Sequence, residues 1–355
     1  MNTAQDRPTA LARARTLPKV LLHEHLDGGL RVATLLALLK QRGMQAPAPD
    51  ETALAAWFDA NAHAGSLMKY LEGFALTVEA MSSPAAMERV AFEAAEDAAA
   101  DGAVLAEFRI APLLFESHGV PGEAAVEALL AGLARSPLPL LQQSGLIVCG
   151  MRHLPPEEVQ RAARLAIRYQ GQGVVGFDLA GAEYGHPPTQ HAKALQMVHD
   201  AGLSLTLHAG EADVAERVLE AGRLGARRIG HGVRLVDALL DPARTALVDE
   251  AKALGLHLEV CPTSNVHTGA ADSLASHPIT ALWHAGVSLS YHTDNRLMSC
   301  LTHSGEAADL LLHTPLTEAD LLAMALQAAA HSFLPEAARA SARQALQARG
   351  AGQAG

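Results

Sequence analysis

"AGLSLTLHAGE", residues 201–211, holds one complete turn of the pattern that decides the fold. Gly202 closes the helical stretch before it and lets the chain turn into a sheet. The run "LSLTLHAG" (203–210) then reads as a strand, and most of its counterparts are nearly continuous apolar runs, as expected for parallel strands covered on both faces. It ends on His208, with Glu211 three residues later. The same unit recurs along the chain. Further strand candidates are "KVLLHEHL" (19–26), "AVLAEFRIA" (103–111), "LIVCGMRHL" (146–154), "VVGFDLAG" (174–181), "RRIGHGV" (227–233), "LHLEVCP" (256–262) and "VSLSYHTD" (287–294). Helical stretches lie between them, such as "PAAMERVAFEAAEDAAADG" (84–102), which opens on proline and stops at glycine. Eight strands alternating with helices predict an α/β fold, a closed (β/α)8 TIM-type barrel. An open doubly wound sheet is the alternative. No GxGxxG follows the first strand, which removes its nucleotide-binding version.

The barrel is expected to form one domain over residues 1–355, with its core at 16–340. The gap between the first two strands is long. It has room for the first barrel helix and a helical insertion over about 42–83, a candidate lid above the barrel mouth. Pocket-lining side chains of that lid are expected among Leu67 to Phe74. The tail "ARGAGQAG" (348–355) is expected to be disordered. A net charge of −11 disfavours nucleic-acid and anionic-membrane partners. No run is long and apolar enough to span a membrane, and the N-terminal stretch does not read as a secretory signal. Cys149, Cys261 and Cys300 are scattered and lack CxxC spacing, which fits a reducing cytoplasm.

With 18 histidines in the chain, about one HxH pair arises by chance, so "HEH" at His23 and His25 is weak by itself. Position strengthens it. Residues i and i+2 share one side of a strand, and both lie at the strand's C-terminal end, where barrel enzymes carry their chemistry. Other strands end in His208 and Glu211, in His231, and in His292, Asp294 and Asn295. Three imidazoles and a carboxylate converging on one rim suit a borderline cation such as zinc with an open water position. His63, His191, His199, His284 and His313 fall in helical or loop stretches and are read as surface residues. No GxSxG follows a strand, which argues against a serine hydrolase.

"LPKVLLHEHLDGGL", "VVGFDLAGAE", "LTLHAGE", "RRIGHGV", "LEVCPTSN", "HTDN" and "SFLPEAA" occur in the order found in adenosine deaminases of the amidohydrolase superfamily. The resemblance runs from about Leu17 to Arg339, and its "HLDGG" and "TDNRLMS" forms are similar to bacterial members. It implies a zinc-dependent hydrolytic deaminase taking adenosine or 2′-deoxyadenosine to inosine or 2′-deoxyinosine and ammonia. One Zn2+ per chain would be held by His23, His25, His208 and Asp294. His231 would lie beside the activated water, and Glu211 would donate a proton to purine N1. Gly181 would offer its backbone N–H near N3, and Asp27 would approach the ribose 5′-hydroxyl. Glu259, on the seventh strand, is expected behind His231 as an orienting partner. The partner implied is a small-molecule purine nucleoside, with neither nucleic acid nor membrane.

Three positions depart from the family pattern. Asn295 stands where many members have a second Asp, and its amide donates at every pH, so binding at purine N7 is retained. His292 stands where Asn is common and is expected to face the same side as Asp294. Glu24, between the paired histidines, should point out of the lumen and needs a partner there. The nearest alternative is a deaminase of another 6-aminopurine compound, such as adenine or aminodeoxyfutalosine. A non-catalytic nucleoside-binding barrel is the further one.

Overall fold

The computed structural model describes residues 6–63, 67–135 and 144–351, with the side chains of 67–72 and 349–351 left aside. The eight strands are β1 (Lys19–Leu21), β2 (Ala103–Ile110), β3 (Ser144–Met151), β4 (Val174–Ala180), β5 (Ser204–Ala209), β6 (Arg228–His231), β7 (His257–Val260) and β8 (Leu289–Tyr291). They pair in chain order and all in parallel. The seam between first and last strand closes just past their ends. Glu24 and Asp294 form a parallel bridge, with His25 N–H donating to Asp294 O at 2.8 Å and Asp294 N–H to His23 O at 3.0 Å. This is a (β/α)8 barrel.

Leu105, Ile147, Phe177, Leu207, Ile229 and Leu258 are fully buried, so the strands are covered on both faces. Charged residues inside such strands have nowhere to go but the lumen, and there they must pair. Glu107, Arg109, Asp178, Arg228 and Glu259 are all without solvent exposure.

Strand ends are shorter than their apolar runs suggest. The chain leaves regular pairing where it carries polar groups, and His231 (φ 64°) and Asp294 (φ 58°) adopt left-handed backbone there. The gap between β1 and β2 contains helices at Val32–Gln41, Glu51–Ala62, Leu67–Met81 and Pro84–Ala100. Residues 348–351 differ from expectation: they continue the helix Glu336–Ala351, while 352–355 lie outside the described residues. His191 is also not on the surface. It is buried, and its Nε2 lies 2.8 Å from Arg152 O, whereas His63, His199, His284 and His313 are exposed.

Candidate active site

After Leu21 the chain runs on between β2 and the end of β8, tied by Arg109 N–H donating to Glu24 O at 2.8 Å. That short extension carries His23 and His25 to the C-terminal rim. The end of β5 supplies His208, the end of β6 His231, and the turn after β8 Asp294. Donor atoms of His23, His208, His231 and Asp294 all lie within 4.8 Å of one another. His25 joins them, its Nε2 3.2 Å from His208 Nε2 and 3.5 Å from Asp294 Oδ1. No other such group forms among the described residues.

Carboxylates behind the imidazoles decide which ring nitrogens face inward. His23 Nδ1 lies 2.8 Å from Glu259 Oε2, and His208 Nδ1 lies 2.9 Å from Asp178 Oδ2. Each Nδ1–H donates outward, so each Nε2 turns a lone pair toward the centre. Burial pushes the pKa of His25 well down and lowers that of His208, favouring the neutral, ligating form. Arg109 ties the two carboxylates together, at 2.8 Å to Asp178 and 2.5 Å to Glu259. Arg228 contacts Glu259 at 2.6 Å and Glu107 at 2.7 Å. In this connected, buried network two arginines face four carboxylates: Glu107, Asp178, Glu259 and Asp294. The surplus is two negative charges. His23 Nε2 is also buried and makes no hydrogen bond, with Asp294 Oδ1 3.3 Å away. Converging lone pairs, an orphaned ring nitrogen and a charge surplus of two all fit a divalent cation.

A cavity of about 240 Å³ opens beside this cluster. His25, Asp27, Gly181, Glu211, Asp294 and Asn295 line it, together with Phe74 and Val78 from the helix Leu67–Met81. The side chains of 67–72 fall outside the described residues. Glu211 is held on one side: its Oε1 accepts from Thr268 Oγ1 at 2.9 Å and Asn265 Nδ2 at 3.3 Å. Its Oε2 faces His231 Nε2 at 3.5 Å. Gly181 has φ 92°, and a Cβ there would meet the His153 ring at 3.0 Å, so this wall takes only glycine without strain. Burial pushes Asp27 up to about 7.

Of three further expectations, those for Glu259 and His292 are overturned and that for Glu24 is met. Glu259 does not stand behind His231; it bonds His23, because its strand position aims it across the lumen toward the β1 extension. Asn265 takes the place behind His231, its Nδ2 3.0 Å from His231 Nδ1. His292 does not turn toward the cavity. Regular alternation stops at Tyr291, and His292 Nδ1 instead accepts Leu22 N–H at 3.2 Å across the seam. Glu24 finds its partner in Arg296, at 2.6 Å, with Thr293 Oγ1 donating at 2.9 Å.

Several residues of the site were not foreseen. Ser264 Oγ donates to Asp294 Oδ2 at 2.6 Å. Glu183 accepts four successive backbone N–H groups, from Gly210, Glu211, Ala212 and Asp213, at 2.5–3.2 Å. A charge inside an otherwise apolar run (Glu107 and Arg109 in β2, Asp178 in β4) is the signal that marks the buried network.

A sequence model of the adenosine deaminase family matches residues 18–348. Adenosine deaminase of Mycobacterium bovis is 42% identical over 339 residues, covering 92% of each chain. That of Mycobacteroides abscessus is 42% identical over 330 residues, covering 90% of this chain and 91% of its own. Among solved structures, adenine deaminase from Arthrobacter aurescens superposes with a TM-score of 0.84 at 24% identity, covering 93% of this chain and 98% of its own. A zinc-bound amidohydrolase from Burkholderia ambifaria superposes at 0.83 and 25% identity, covering 98% and 94%. The chain is a hydrolytic deaminase and belongs to the adenosine deaminase family.

Proposed function

We propose that the protein is a zinc-dependent deaminase of adenosine and 2′-deoxyadenosine. The observation that carries this reading is the set of inward lone pairs on a surplus of two buried negative charges, with Glu211 beside it at the wall of a cavity. His23, His25, His208 and Asp294 would hold the ion. Bound there, zinc supplies Lewis acidity that lowers the pKa of water from about 15.7 toward 7.

The chain's own groups do the rest. The purine enters with N3 against the Gly181 N–H, N7 against the Asn295 amide and the ribose 5′-hydroxyl against Asp27. Glu211 passes a proton to N1, which lets the ring accept electrons at C6; such general-acid help is worth about 10²–10⁴ in rate. His231 and Asp294 orient the attacking water. As the C6–O bond forms, Asp294 takes one proton from the water and returns it to the amine; the C6–N bond breaks, ammonia departs, and the water's second proton restores Glu211, leaving inosine. Helices Glu51–Ala62 and Leu67–Met81 serve as the lid, which Phe74 and Val78 on the cavity wall support. The whole chain acts as one domain. Its three unpaired cysteines support a cytoplasmic setting. Among the described residues no helix is long and apolar enough to cross a membrane.

Ultraviolet absorbance tests this with adenosine, 2′-deoxyadenosine and adenine, before and after chelation. Adenosine should convert to inosine, stop converting after chelation and resume when zinc is restored. Conversion of adenine with adenosine untouched would move the substrate to the free base and remove the role given to Asp27.

A further inference from the structure

His231 touches the donor cluster, yet its ring can serve that cluster in two opposite ways. With a bare Nε2 it would be a further ligand. With a protonated Nε2 it would be a hydrogen-bond donor. Its neighbours decide between them. The helix Ile279–His284 begins with the N–H of Ile279, which donates to His277 Nδ1 at 3.0 Å. A backbone N–H can only donate, so His277 Nδ1 accepts. Burial pushes His277 down to about 3, so the ring is neutral and its one proton sits on Nε2. His277 Nε2 lies 3.3 Å from Asn265 Oδ1. That contact turns the amide oxygen of Asn265 toward His277 and its NH2 the other way. The NH2 then donates to His231 Nδ1 at 3.0 Å and to Glu211 Oε1 at 3.3 Å. The reverse amide orientation would set an oxygen against the Glu211 carboxylate. All three residues of the chain are buried, with exposures of 3% for His277, 0% for Asn265 and 1% for His231.

We infer that Asn265 and His277 are positioning residues which lock His231 as the tautomer protonated on Nε2. His231 therefore presents an N–H to the site, stays out of the ligand set, and stabilises negative charge building on the attacking oxygen. His25 is left as the third imidazole ligand. One orientation cue, the N–H of Ile279, is relayed through three side chains to the place of reaction, and the same amide group steadies Glu211. This inference rests on the deaminase reading for its chemistry, but not for its tautomer.

Ring-nitrogen NMR of the zinc-loaded protein labelled with ¹⁵N-histidine tests it without substrate. The His231 signals, assigned by their loss in His231→Asn, should show a protonated Nε2 and a bare Nδ1. In Asn265→Asp the carboxylate can only accept, so His231 should move its proton to Nδ1. That variant should keep its zinc, and its kcat should fall roughly 10²–10³-fold, the usual cost of losing a donor to a developing oxyanion, with KM little changed. His277→Leu should give a mixture of the two His231 forms, whereas His277→Gln, which keeps an N–H donor, should preserve the wild-type form. A wild-type His231 protonated on Nδ1 would overturn the inference, as would Asn265→Asp retaining both the Nε2–H signal and full kcat. Failure of adenosine to react, with the His231 signals as expected, would strike the substrate reading alone.

Discussion

Asp178 and Glu259 each face an imidazole on one side and Arg109 on the other, so the orientation of a ligand and the balance of buried charge depend on the same oxygens. Asp178→Asn keeps an acceptor for His208 Nδ1–H but removes a charge from Arg109. Zinc affinity should fall about 10–100-fold, measured as loss of metal on dialysis against graded chelator. Affinity equal to wild type would mean that the carboxylate charge is not felt at the ion. Glu211 makes the converse case, lying outside the ligand set. Glu211→Gln should retain stoichiometric zinc while deamination drops by about 10²–10⁴. Elemental analysis beside an absorbance assay separates the two effects. At this scale the sequence was most readable where strand ends deliver histidines. Asp178 and Arg109 are harder to read because each sits in the middle of a strand and not at its end. Glu259 was read with the wrong partner because strand adjacency says which strands touch, not across which part of the lumen a long side chain reaches.

Among the elements, the loop after β5 depends most on a neighbour. Glu183, in the loop after β4, collects the N–H groups of 210–213, and these are the residues that present Glu211. Without it, four backbone donors lose their acceptor in a partly buried loop. Glu183→Ala should lower kcat at least tenfold with zinc retained, and amide exchange should quicken in 210–215. Unchanged exchange with lowered kcat would mean that Glu183 acts on substrate and not on the loop. All eight strands could be located from their apolar runs, often with a glycine just before them. Their ends could not, because the last residues follow the demands of the site. Asp294 abandons strand geometry to close the seam and to join the donor cluster, and periodicity carries no trace of that. His292 was misjudged for the same reason.

Across the whole molecule, one buried carboxyl links the outer helices to the site. Glu306, in the helix His303–His313, accepts Thr263 N–H at 3.0 Å and so seats the helix Pro262–His267, which carries Ser264 and Asn265. It is 1% exposed. Burial pushes its pKa from 4.5 up to about 8, with the nearby carboxylates of Asp309 and Asp294 adding to the shift. The folded protein therefore holds this proton across a range in which the unfolded chain has released it. Because the unfolded state binds fewer protons there, stability falls as pH rises from 4.5 to about 8, by up to ~1.4 kcal/mol per pH unit. Glu306→Gln keeps an acceptor for Thr263 and cannot ionise. Its melting temperature should match the wild type near pH 5 and exceed it near pH 8, with the gap opening steadily between. Equal melting temperatures at both pH values would mean that the carboxylate is tolerated in its ionised form, and that the positive charge of the bound ion, felt through Asp294, offsets its burial.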